Sequence, residues 1–193
     1  LKNYKYDIVE ILVNEDYFFN RIKFSKKPNF DLPTDYFLIS RRLIARTGVL
    51  EFVKMILKKN IFDKFNFIIT GDGPLKKVIK DLIVNSKNIF FLDSLPEINL
   101  DYLKINCKGF IIPSIDAEGY CVIAKEAILL NKYIFHTNQG GLAESTKNYP
   151  NQGIFEISNI NPLYNFLNMS NSLIQKYQHL KTFNKSIKRL NLL

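Results

Sequence analysis

Glu118 and Glu126 stand with seven residues between them, and the intervening run is Gly119-Tyr120-Cys121-Val122-Ile123-Ala124-Lys125. Before them comes a short apolar run, Phe110-Ile111-Ile112, closed by Pro113-Ser114, which reads as a buried strand and its exit turn. After the first glutamate, Val122, Ile123, Ala127, Ile128, Leu129 and Leu130 recur at near-helical spacing. Glu118 therefore falls just before a helix and Glu126 early on it. Free backbone N–H groups at a helix start can hold a phosphate, while carboxylates accept hydrogen bonds from hydroxyl groups. A ligand with phosphates between two polyols, such as a nucleotide sugar, suits such a place. The ordinary alternative is that acids near a helix start only complement its dipole, for ~0.3–1 kcal/mol.

Three further stretches bear on the choice. Arg41-Arg42-Leu43-Ile44-Ala45-Arg46-Thr47-Gly48 gathers three guanidiniums, whose forked donors match phosphate oxygens. A leaving nucleoside diphosphate gains negative charge as its bond to the sugar breaks, so a cation placed there acts on the transition state. Solvated surface charge is the plain alternative, and it suits Arg41 better than all three. Gly71-Asp72-Gly73-Pro74 has glycines that let backbone approach closely and a proline suited to a first helical position. A dinucleotide fingerprint needs glycine at position 76, where Lys76 stands, so an NAD site is not supported. Gln139-Gly140-Gly141-Leu142-Ala143-Glu144 offers amides at another helix start.

Elements must bring these stretches together. Apolar runs at Tyr36–Ile39, Phe65–Ile69, Ile89–Leu92, Phe110–Ile112, Tyr133–Thr137 and Gly153–Ile157 read as strands. Helical patterns at Val49–Asn60, Pro74–Asn85, Leu100–Asn106, Val122–Leu130 and from Leu142 alternate with them. This rhythm predicts an α/β, Rossmann-like parallel sheet with helices on both faces, over residues 35–160. Ligands on such sheets bind at the carboxyl ends of the strands, and the loops Ser40–Gly48, Gly71–Pro74, Asp93–Glu97, Ser114–Cys121 and Asn138–Gly141 all leave those ends. Residues 1–34 read as an irregular linker segment. Residues 161–193 read as a basic amphipathic helical tail, with Leu173, Tyr177, Leu180, Phe183, Ile187 and Leu190 at helical intervals. Packing on a domain is the expected role of that tail, and contact with the inner face of a membrane is the other.

A length of 193 residues, 47% of them hydrophobic, allows a full core and argues against disorder. No apolar run approaches the ~20 residues that span a bilayer. Cys107 and Cys121, with His136 and His179, give neither a disulfide framework nor metal-ligand spacing, so no metal and no cofactor are expected, and a reducing cytoplasm is. The net charge of +9 is spread along the chain without any nucleic-acid motif. The first residue is Leu1, not methionine, which suggests a piece of a longer protein.

Taken in order, Arg42-Leu43 with Gly48, Gly71-Asp72-Gly73-Pro74, Pro113-Ser114, Glu118-Gly119-Tyr120 through Glu126-Ala127, and Gly140-Gly141 with Glu144 resemble the C-terminal, donor-binding half of GT-B glycosyltransferases of the family 4 (group 1) type. The resemblance covers roughly Tyr36–Ile157. It implies a metal-independent transferase that takes a sugar from a nucleoside diphosphate donor with retention of configuration, in glycan, glycolipid or cell-envelope synthesis. It implies catalytic roles for Arg42 on the diphosphate and Glu118 on sugar hydroxyls, with Glu126 on the ribose. Donor binding extends by the same resemblance to Arg46, Thr47, Gly71, Asp72, Gly73, Gly119, Tyr120, Cys121, Val122, Gly140 and Gly141. Thr47 stands where the family has lysine, and Cys121 where it has glycine. The acceptor site would lie on a preceding N-terminal domain, without which the half is expected to be inactive. A truncated, non-catalytic remnant or interaction module is the alternative.

Overall fold

Side chains alternate across the central strands and sort the core into two halves. Phe37, Ile39, Phe67, Ile69, Ile111 and Phe135 enter one buried cluster, while Tyr36, Leu38, Ile68, Phe110, Ile112 and Ile134 enter the other. A period of two with both phases apolar is what a sheet covered on both faces requires. The computed structural model describes residues 13–177. In chain order they form α1 (Glu15–Ile22), β1 (Tyr36–Ser40), α2 (Val49–Leu57), β2 (Asn66–Thr70), α3 (Lys76–Ile83), β3 (Ile89–Leu92), α4 (Glu97–Asn106), β4 (Gly109–Ile112), α5 (Val122–Leu129), β5 (Tyr133–His136), α6 (Gly140–Thr146), β6 (Gln152–Ile154) and α7 (Asn161–Tyr177).

The six strands lie in the order β3-β2-β1-β4-β5-β6, and every neighbouring pair is parallel. The expected α/β parallel sheet is thus present. Residues of α2, α3 and α7 join the first cluster, and residues of α4, α5 and α6 join the second. The first half is rich in phenylalanine: Phe37 meets Phe135 edge-on at 5.7 Å and Phe52 meets Phe67 at 5.8 Å, arrangements that suit the ring quadrupoles.

Three details depart from the sequence reading. Residues expected to be irregular contain α1, capped by Asn14, whose Oδ1 accepts from the Tyr17 amide at 2.9 Å. Its Phe18 and Ile22, one turn apart, are buried. The final strand closes at Ile154, and Phe155 turns into the phenylalanine-rich core instead. The tail begins as α7, which buries Leu163 and Leu167 on that core; the stripe expected from Leu173 to Leu190 lies outside the residues whose side chains are described. Among the described residues no helix is long and apolar enough to cross a membrane.

Cys107 closes α4, and its thiol donates to the Lys104 carbonyl at 3.2 Å. Burial pushes this thiol up to about 12. An unfolded thiol ionises near ~8.5, so stability from this group is whole below that pH and declines as pH climbs toward 12. Iodoacetamide at pH 8 is therefore expected to spare Cys107 in the native protein and to modify it in urea, as read by mass spectrometry. Equal labelling rates in both states would contradict the burial.

Candidate functional site

Between β1 and β4 the strand order reverses, and the loops that leave their carboxyl ends part around a crevice. A cleft of about 330 Å³ opens there, lined by Arg41, Arg42, Arg46 and Thr47 from the first loop and by Glu118, Tyr120, Cys121, Val122 and Ile123 from the second. Seven of the residues singled out by the sequence meet in it.

Arg42 and Arg46 are exposed. Arg46 crosses between the loops and donates from Nη2 to the Ala117 carbonyl at 2.9 Å. Thr47 is turned inward: its hydroxyl lies 2.7 Å from both the Arg42 and the Ile44 carbonyls, so it braces its own loop and offers the cleft no cation. Val122 and Ile123 open α5, where a helix leaves its amides without internal acceptors. Cys121 precedes them, buried, with its thiol raised by that burial.

The arginine of this loop withdrawn from solvent is Arg41, the one for which solvated surface charge was the credible alternative. Its side chain is 10% exposed and is paired with Glu118, itself 13% exposed. Arg41 Nη2 also reaches Ser114 Oγ at 3.2 Å, and Nη1 reaches Cys121 Sγ at 3.2 Å. Ser114 in turn donates to Glu118 Oε1 at 2.7 Å. One signal was available: the residue that follows a buried central strand leaves it at the crevice, whatever its charge.

Glu126 lies outside these walls. It is buried beside α4 and α1, where Lys104 Nζ stands 2.9 Å from Oε2 and Arg21 Nη2 stands 3.1 Å from Oε1. Arg21 also donates from Nε and Nη2 to Asp101 at 2.7 and 3.0 Å and pairs with Glu97 at 2.7 Å. Burial opposes the charge of Arg21, but hydrogen bonds to Asp101 and Glu126 and the nearby carboxylates outweigh it and hold its pKa above the ordinary value. Glu118 and Glu126, neighbours in the sequence pattern, thus serve two different clusters.

The glycines turn toward other loops. A Cβ on Gly71 would fall 1.9 Å from the Arg41 carbonyl oxygen, and one on Gly73 would fall 2.5 Å from that of Leu43. On Gly141 it would meet the Gly119 oxygen at 2.2 Å, and on Gly140 the Glu118 oxygen at 2.6 Å. The Gly141 amide donates to the Glu118 carbonyl at 2.8 Å. Close backbone approach, expected to a ligand, is made to the neighbouring loop. Gly119 alone has open space around it. Asp72, exposed, accepts from the Gly73 amide at 3.0 Å and faces Lys76. Among the described residues no three of His, Cys, Asp and Glu gather where they could hold a metal.

The family description "Glycosyl transferases group 1" matches residues 20–182. An uncharacterised glycosyltransferase of Methanocaldococcus jannaschii is 30% identical over 102 residues, which are 51% of this chain and 28% of that protein. A glycosyltransferase from Rickettsia africae superposes with a TM-score of 0.64 at 20% identity, over 84% of this chain and 43% of that one. The C-terminal domain of a group 1 glycosyl transferase from Francisella tularensis gives 0.56 at 20% identity, over 71% and 75%. Anabaena HepE, solved with UDP-glucose, gives 0.60 at 17% identity, over 82% and 49%. The chain spans less than half the length of the first curated and structural relatives, and the fold they share is that of a GT-B, Rossmann-like glycosyltransferase domain.

Proposed function

This chain belongs to the group 1 glycosyl transferases, and from that premise we propose that it is the half that binds a nucleoside diphosphate sugar. The carrying observation is the cleft at the strand-order reversal, with exposed Arg42 and Arg46 on one wall and the opening turn of α5 with Glu118 on the other. The diphosphate lies between the arginines and the amides of Val122 and Ile123, and the sugar lies toward Glu118. Arg42 supports the departing diphosphate. Transfer is retaining and needs no metal, both as the resemblance implies. The acceptor site belongs to a preceding domain, and the half by itself binds donor without turning it over. The site stands in a cytoplasmic compartment, with any membrane contact peripheral.

Titration of the chain with UDP and UDP-glucose, and with their adenine counterparts, tests the reading by NMR. Amide shifts are expected at Arg42, Val122 and Ile123. Arg42→Ala is expected to weaken nucleoside diphosphate binding about tenfold, the lower end of what a charge-assisted hydrogen bond contributes. Silence at those amides with millimolar ligand would sink the proposal.

A further inference from the structure

Arg41 is not one of the residues that the family resemblance assigns to the donor, yet it lines the cleft and is paired there with Glu118. Of the three arginines in the β1 exit loop it is the one removed from solvent. Its two terminal nitrogens are taken by Glu118, Ser114 and Cys121, while its Nε is buried with no acceptor. A buried donor without a partner is a standing cost in that arrangement. The hydrogen-bonding capacity of Glu118 Oε1 is likewise committed, to Arg41 and Ser114.

We propose that Arg41 is a specificity-determining residue that selects a donor sugar carrying an anionic group, a carboxylate above all. The inference rests on the reading of the cleft as a nucleotide-sugar site with the sugar beside Glu118. A sugar hydroxyl that seeks Glu118 meets Arg41 already bound there. A neutral sugar that displaces the guanidinium leaves a nearly buried cation with only uncharged partners, which is unfavourable. An anionic substituent exchanges like for like, and once the side chain moves to it the Nε gains an acceptor in the same fork.

The experiment is calorimetric titration of the full chain with UDP, UDP-glucose and UDP-glucuronate. The wild-type protein is expected to bind UDP-glucuronate about tenfold more tightly than UDP-glucose, which corresponds to about 1.4 kcal/mol. Arg41→Gln removes that preference by strengthening UDP-glucose and weakening UDP-glucuronate. Arg41→Lys, which keeps the charge and loses the fork, retains the direction at a smaller ratio. Glu118→Gln releases Arg41 and raises the ratio. Equal affinities for the two sugars in the wild type, or a preference that survives Arg41→Gln, overturn the inference while UDP binding still upholds the site. Failure to bind either UDP or ADP overturns the site and this inference with it.

Discussion

Replacing Gly48 with alanine is expected to destabilise the domain by about 3 kcal/mol or more, the size reached when backbone strain and a steric clash act at one position. Gly48 caps the short turn Ala45–Thr47 and starts α2 with φ at +67°, where a Cβ is already unfavourable. That Cβ would fall 1.8 Å from the carbonyl oxygen of Pro113, a separation no rotamer can relieve because both partners are backbone. Neither side has room to retreat. Thr47 is buried and braced on its own loop, and Pro113 directly follows β4 in the middle of the sheet. The measurement is the urea midpoint, with Gly119→Ala as the control. Gly119 has nothing within 4 Å of its Cβ position, so alanine there is expected to be neutral or mildly stabilising. Equal effects from the two substitutions would show that the contact between the β1 and β4 exits does not hold the fold.

Arg21→Met comes next in size, at about 3–5 kcal/mol, the range for removing one partner of a buried ion pair. Asp101 is fully buried and receives two hydrogen bonds from Arg21, and Glu126 receives a third. Without the guanidinium, Lys104 alone faces both carboxylates. The double variant Arg21→Met with Asp101→Leu leaves Lys104 and Glu126 as a balanced pair and is expected to recover most of the loss. Urea midpoints of the single and double variants check this, and high salt should change little because the cluster is shielded. A double variant as unstable as the single one would mean that packing, not charge, carries the effect.

The strands, their order of appearance and the helices between them were readable because long apolar runs and helical stripes carry their own period. The rim loops followed, since parallel strands send all their exits to one side. Other features depended on facts no period encodes. Arg41 and Arg42 are adjacent and alike, and which one is withdrawn from solvent depends on where β1 ends. Glu126 sits one full turn along α5 from Val122, deeper in the domain, where Lys104 of α4 and Arg21 of α1 reach it. Nothing local distinguishes that from a ligand contact, because Lys104 and Arg21 come from elements far away in sequence. Helix α1 announced itself only through Asn14, Glu15 and Asp16 at its start, against a run of aromatics that resembles no regular pattern.

The interlocked exits have a thermodynamic consequence. Gly48 against Pro113, Gly71 against Arg41 and Gly141 against Gly119 hold backbone to backbone, so the loops around the cleft are already fixed on one another before any ligand arrives. Binding then demands little ordering of main chain. On the proposed reading of the cleft, the entropy lost on association falls on side chains, Arg41 and Glu118 first, and the heat of binding is expected to report the exchange of their partners rather than the closing of a loop.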